Sequence, residues 1–174
     1  MIGDTGELVG DSNYEGAYFA AKEINEAGGV DVGGTTYYIG VTREVSDEKN
    51  PQILTSRGIS AARRLIFDKE VDYVMGGFRS ESLIAYIEEF MDEEMLFIGT
   101  GAAADIHTQF VIDEYDRYKY FFRPMPINST ALGSQILSTF VGLILTMQGT
   151  YGIGREGYST HNIKQIGILA EDLG

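Results

Sequence analysis

Residues 71–77, VDYVMGG, run into 78–94, FRSESLIAYIEEFMDEE, and then into 95–104, MLFIGTGAAA. Val71, Val74 and Met75 make a short β-prone run closed by Gly76 and Gly77. Ser80 stands at a helix N-cap position, and Glu81 falls in the first turn, where a negative charge complements the helix dipole. Leu83, Ile84, Ile87, Phe90 and Met91 recur at helical spacing as one apolar stripe. Residues 95–98 read as a second buried strand. A strand–helix–strand unit of this kind has a right-handed crossover and parallel strands. Both turns, 76–80 and 99–103, then lie at one carboxyl edge of the sheet, the edge at which open α/β sheets bind ligands.

The flanks continue the alternation. Ser12 and Glu15 match a capping box and predict a helix over 13–27, with Tyr14, Ala17, Tyr18, Ala21 and Ile24 on one face and Gly28–Gly29 as its stop. A strand should precede that helix. Residues 1–9 are too short and glycine-broken to supply a full one, so the first strand reads as missing and the sequence as trimmed at its front. A strand is expected over 37–45, after the Gly33–Gly34 turn. Asp47, Glu48 and Lys49 make a charged loop, and Asn50 and Pro51 then mark a helix start. That helix reaches about residue 69, with Leu54, Gly58, Ala61, Ala62, Leu65 and Ile66 inward. Glycine inside a helix costs about 1 kcal/mol relative to alanine, so Gly58 marks a close packing contact. Residues 105–118 are polar and irregular with room for a short helix, and 120–123 form a further strand ended by Pro124 and Pro126.

Asn128 caps a long helix running to 147, and no charged residue occurs between Arg123 and Arg155. Its continuously apolar part is about ten residues, against the roughly 20 that a membrane span needs. Asn128, Ser129, Ser134, Gln135 and Ser138 crowd its front half, so a buried or half-buried helix of a soluble protein is expected. The domain division is a lobe over 1–148, a glycine-rich linker over 149–162, and a strand over 163–174 belonging to the start of a second lobe. Ile166, Gly167, Ile168 and Leu169 have the two-face-buried character of a central parallel strand. Residues 165–170 are therefore expected to fill the vacant first-strand slot, beside strands around Ile39 and Val74, within one chain or in a strand-swapped homodimer.

Composition removes several function classes. A formal net charge of −13 argues against nucleic acid or an anionic membrane surface as partner. The absence of cysteine excludes disulfides, thiolate chemistry and cysteine-based metal sites. No basic-then-apolar leader opens the sequence, which fits a cytosolic, processed or excised chain. Gly99, Gly101 and Ala104 form a G-x-G-x-x-A after a strand, but the next strand ends at Phe122–Arg123 without the acidic residue that would hold a ribose. The glycines at 152, 154 and 157 match G-x-G-x-x-G in a linker. His107 and His161 have no paired spacing and read as surface histidines. Neither a nucleophile elbow nor a phosphate loop occurs, and the acidic run 88–94 reads as a solvated helix end. No enzyme, cofactor or metal is expected. The two turns admit two readings, plain fold geometry or a clamp for an amphiphile. In the second, backbone N–H groups and the Ser80 hydroxyl suit a carboxylate, carbonyls near Gly101 suit an ammonium, and Arg79 adds a bidentate contact or points to solvent.

The runs VGDSNYEGAYFAAKEINEAGGV, NPQ, VDYVMGGFRSES, MLFIGTGAAA and YKYFFRPMPINSTALG follow one another in the order found in type I periplasmic binding proteins. The chain resembles the amino-terminal lobe of that family, and in particular the branched-chain amino acid (Leu/Ile/Val) receptors of ABC transporters. The resemblance implies an α/β, doubly wound, mostly parallel sheet, truncated to the first lobe. It implies a ligand held at the ends of the third and fourth strands, and the candidate ligand-binding residues of the two turns there are Phe78, Arg79, Ser80, Gly101, Ala102 and Ala103. Ser80 matches the family's pocket serine, Gly101 a residue that contributes backbone, and Ala103 a position usually Thr or Ser. Val9 stands where an aromatic residue is frequent. The implied function is that of an extracytoplasmic receptor, periplasmic or extracellular and open to lipoprotein anchoring. It would capture a small-molecule ligand, an amino acid or similar, and present it to an ABC permease. An extracellular sensor domain of a signalling receptor shares these features, and a Rossmann-like nucleotide-dependent enzyme is the reading from another class.

Overall fold

Val74 and Phe97 point into the core while Tyr73 and Leu96 point away from it, the period-two alternation of a pleated strand. In the computed structural model, β3 (Tyr73–Gly76) and β4 (Leu96–Gly99) pair in parallel, with Tyr73 opposite Leu96 and Gly76 opposite Gly99. β5 (Phe121–Phe122) adds in parallel on the other side of β4. The structure describes residues 1–125, 128–147 and 149. The chain divides into two units, Met1–Pro126 and Ile127–Gly174.

The crossover helix α3 (Ser80–Asp92) buries Leu83, Tyr86, Ile87, Phe90 and Met91. Its aromatic rings pack against those of the sheet: Phe90 lies 5.2 Å from Phe97, and Phe97 lies 5.8 Å from Phe121. Beside it, α2 (Thr55–Arg63) buries Gly58, Ala61 and Ala62, then continues as a π-helical turn, Arg64–Asp68, that buries Leu65 and Ile66. A Cβ on Gly58 would sit 2.6 Å from the Tyr86 ring. The expected close contact is therefore that of α2 with α3. The start of α2 differs from expectation: its N-cap is Leu54, and Asn50 closes the preceding turn by accepting from the N–H of Gln52.

The central slot of the sheet is held by residues 1–3. Ile2, fully buried, pairs in parallel with Gly76 on one side and Glu44 on the other. Its N–H donates to Met75, the Gly3 N–H donates to Glu44, and the Glu44 N–H donates to Met1. Residues 165–170, expected in this slot, lie outside the described residues, as does the linker. Across the sheet the order is residue 44, residue 2, β3, β4, β5. Chain order reverses on either side of residue 2, which makes the carboxyl end of this region a topological switch point.

Two other elements depart from the sequence reading. Helix α1 (Leu8–Glu26) starts ahead of the Ser12–Glu15 box; its N-cap is Glu7, whose carboxylate accepts from the N–H groups of Val9 and Gly10. A Cβ at Gly10 would overlap the Asp4 carbonyl, so the helix starts where it can close on the first-strand residues. Of the expected 37–45 strand only Glu44 joins the sheet. Its front becomes β2 (Thr35–Tyr37), paired antiparallel with β1 (Val30–Val32) across Gly33 and Gly34, both at positive φ as a tight hairpin turn requires. Asn25 holds the segment that follows: its amide donates to the Ile39 carbonyl at 2.9 Å and accepts from the Ile39 N–H at 2.8 Å, standing in for a neighbouring strand.

Residues 105–118 are more regular than expected and form α4 (Ile106–Asp113) and α5 (Tyr115–Tyr118). In the second unit, α6 (Ser129–Met147) is capped by Asn128, whose side chain accepts from the Ala131 N–H at 2.7 Å. The expectation of a buried or half-buried helix is not met, since none of its residues is buried and Leu137 and Leu145 are 65% and 62% exposed. The described part of its unit is little more than this helix, and its apolar residues lie on every side instead of in one stripe. By length and composition alone, α6 is long and apolar enough to cross a membrane.

Candidate functional site

The two turns predicted to share a sheet edge lie against each other. β3 leaves the sheet through Gly76 (φ 135°) and Gly77 (φ 80°), and a Cβ at Gly76 would overlap the Ile2 carbonyl. The Thr100 N–H donates to Gly76 and the Ala102 N–H to Gly77, each at 3.0 Å. A Cβ at Gly101 would lie 3.0 Å from the Gly77 carbonyl and from the Phe78 backbone. Glycine at 101 thus sets how closely the turns approach. Ser80 is the first residue of α3 and not its N-cap; that place belongs to Arg79, whose side chain makes no cap bond. The Ser80 hydroxyl oxygen instead accepts from the Ala104 N–H at 3.1 Å and ties the turns together. Phe78 is exposed, Arg79, Ser80, Gly101 and Ala103 are half-buried, and Ala102 is buried in the core.

Glu48, which the sequence placed in a charged loop, is the residue sequence reasoning missed. It is 4% exposed. Its carboxylate accepts from the N–H groups of Phe78 (2.9 Å) and Arg79 (2.8 Å), from the Tyr86 hydroxyl (2.9 Å) and from Ser46 (3.2 Å). The amides opening α3, read as a cradle for a ligand carboxylate, are therefore filled by a carboxylate of the chain itself. Asp4, also buried, accepts in turn from the N–H groups of Glu48 (3.0 Å) and Lys49 (2.6 Å). Burial first, then the charge of Glu48 and the hydrogen bond to it, push the Tyr86 hydroxyl well above the usual tyrosine pKa. Tyr86 stays a donor at any ordinary pH. At the switch point these groups border a cavity of about 190 Å³, lined by Asp4, Glu7, Glu48, Lys49, Phe78 and Arg79 among others. A cavity of that size is smaller than most small-molecule sites.

His107, expected at the surface, is fully buried against the same two turns. Nδ1 lies 3.0 Å from the Ala104 carbonyl and Nε2 lies 3.3 Å from the Ser80 carbonyl. Burial, the largest effect, lowers its pKa below the ordinary histidine value, and the Arg123 guanidinium acts in the same direction. Arg123 Nη1 donates to the Ala104 carbonyl at 3.0 Å and reaches that of Ala103 at 3.5 Å. Carbonyls read as free for an ammonium thus already carry a cation. Both histidine nitrogens face main-chain oxygens and neither faces the Ser80 hydroxyl, so the pair is not built as a nucleophile and its base. Among the described residues, no cluster of acidic and histidine side chains is placed to hold a metal. A periodicity reading of residues 105–118 hid His107, because α4 is short and carries little amphipathic signal.

No family model matches the chain, and no curated protein matches it. Among solved structures, the branched-chain amino acid transporter substrate binding protein LivJ from Streptococcus pneumoniae str. Canada MDR_19A, in complex with isoleucine, is similar with a TM-score of 0.56 and 22% sequence identity. The match covers 73% of this chain and 33% of that protein. The likeness is one of fold: an α/β lobe with a parallel sheet flanked by helices, as in type I periplasmic binding proteins.

Proposed function

We propose that the chain forms the first ligand-binding lobe of an extracytoplasmic solute receptor of an ABC transporter, which captures a branched-chain amino acid or a related small polar solute. The ligand would be closed in between this lobe and a second one, then presented to a permease. The observation that carries this reading is the convergence of Phe78, Arg79 and Ser80 with Gly101 and Ala103 on one carboxyl edge, beside a cavity at the switch point of a parallel sheet. That the neighbouring fold belongs to a substrate-binding protein solved with isoleucine supports it.

The site chemistry refines the solute. Glu48 fills the Phe78 and Arg79 amides, and Arg123 occupies the Ala104 carbonyl. What the edge offers is the Ser80 hydroxyl proton, the exposed face of Phe78 and the acidic cavity rim of Asp4, Glu7 and Glu48. This set favours a small solute with a hydrogen-bond acceptor, an apolar portion and a donor or cationic end. Calorimetric titration of a receptor carrying both lobes tests it, with a panel of branched-chain amino acids and small polar solutes. One-site binding of a panel member is expected, and a panel with no binder removes the reading.

A further inference from the structure

Three side chains meet at the Ala104 peptide. Its N–H donates to the Ser80 hydroxyl, its carbonyl receives Arg123, and the same carbonyl faces His107 Nδ1. Across the ring, Nε2 faces the carbonyl of Ser80, the residue whose side chain holds the Ala104 N–H. The imidazole therefore lies between the first residue of α3 and the turn after β4, beside the Ser80–Ala104 bond. It is fully buried, and the Phe121 ring packs 6.2 Å away.

We propose that His107 is a positioning residue that locks the 101–104 turn against Ser80 and so sets the spacing of the ligand-facing edge. The inference rests on the proposed function only in calling that edge ligand-facing.

A neutral imidazole has one N–H and cannot donate to two carbonyls at once. The shorter contact, Nδ1 to Ala104, takes the proton in the neutral ring and leaves the Nε2 lone pair against the Ser80 oxygen. Protonation would satisfy both carbonyls. It would also place a second cation on the carbonyl that already receives Arg123, inside a buried site. The charged groups facing the ring are Arg123, after β5, and Glu81, in the first turn of α3. Burial, the largest effect, opposes the charge, as does Arg123, while the hydrogen bonds to the Ala104 and Ser80 carbonyls and Glu81 favour it, and the net shift is downward. Acid should therefore loosen the lock.

The test is residue-resolved amide exchange on the 174-residue chain, read together with the ring nitrogen shifts of His107. In the unmodified chain, the protection of the Ala104 N–H, its exchange rate relative to the intrinsic rate at each pH, should fall on acidification with the same midpoint as the His107 ring. In His107→Phe the Ala104 N–H should exchange about tenfold faster, the scale of one lost hydrogen bond, while the N–H groups of Val74 and Phe97 keep their protection. His107→Asn, which keeps a donor near Ala104 but cannot span to Ser80, should fall between. An Ala104 protection indifferent to the His107 titration overturns the proposal even if neither variant folds. Equal acceleration at Ala104, Val74 and Phe97 overturns it as well, by reducing His107 to a general stability role. Isoleucine titration of a two-lobed receptor is a separate arm. Loss of isoleucine binding with the Ala104 response intact would sink the proposed solute and leave the lock standing.

Discussion

Removing the Glu48 carboxylate should be the most damaging single change at the sheet edge. Glu48→Ala takes the acceptor from the Tyr86 hydroxyl, which is fully buried, and from the two amides that open α3. A hydrogen bond to a charged group contributes about 1.5–3 kcal/mol, and a stranded buried donor costs about 1–3 kcal/mol. The amides of Phe78 and Arg79 border the cavity, where water can replace the lost partner, so Tyr86 carries most of the loss. The total should be about 3–5 kcal/mol, within the range for breaking a buried charged contact from one side. Tyr86→Phe removes the hydroxyl and leaves Glu48 its other donors, and should cost only about 1 kcal/mol. Urea unfolding of both single variants and the double variant measures this as shifts in midpoint at constant slope. The double variant should be less damaged than the sum of the singles. A Glu48→Ala loss under about 1 kcal/mol, the scale of a surface substitution, would mean that Glu48 is not buried against α3 in solution.

Gly76→Ala combines a φ of 135° with overlap onto the Ile2 carbonyl. It should cost about 2–4 kcal/mol by the same urea assay, and a neutral outcome would remove Ile2 from the central slot. The pH dependence follows from His107, whose folded pKa lies below its ordinary value of 6.5. The unfolded chain takes up the proton first, so this contribution to stability is complete above about pH 6.5. It falls as pH drops towards the folded value and then levels; His107→Asn should lose that part of the pH profile, and an unchanged profile contradicts the assignment. For α6, the sequence reading of a soluble-protein helix predicts that the chain stays in the supernatant after high-speed centrifugation without detergent. Recovery in the membrane pellet would favour the spanning reading that its length and composition permit.

The strand–helix–strand unit at 73–99 was legible because its signals are local: a β-prone run, a glycine pair, and an apolar stripe at helical spacing. Gly58 was legible for the same reason, as a glycine that only a close neighbour justifies. Residues 1–3 were harder to place, since they hold the central slot by pairing with residues 44 and 75–76, contacts that no local pattern encodes. The capping box at Ser12 and Glu15 misled, because the helix start is set by Gly10 fitting against Asp4 and by Glu7 supplying the cap. At the candidate site, the meeting of the 76–80 and 99–104 turns followed from β–α–β geometry. The filling of their polar groups did not. Glu48 and Arg123 reach the edge from distant parts of the chain, and a buried glutamate in a charged loop looks, by composition, like an exposed one.

The most direct test of the receptor reading is calorimetry on a receptor carrying both lobes, comparing the parent with Ser80→Ala. A hydrogen bond from Ser80 to a charged or strongly polar ligand group predicts an affinity loss of about 1–3 kcal/mol, roughly 5- to 150-fold. The single binding site should be retained. Unchanged affinity in Ser80→Ala would remove Ser80 from the ligand's contacts and contradict the placement of the binding site at this sheet edge.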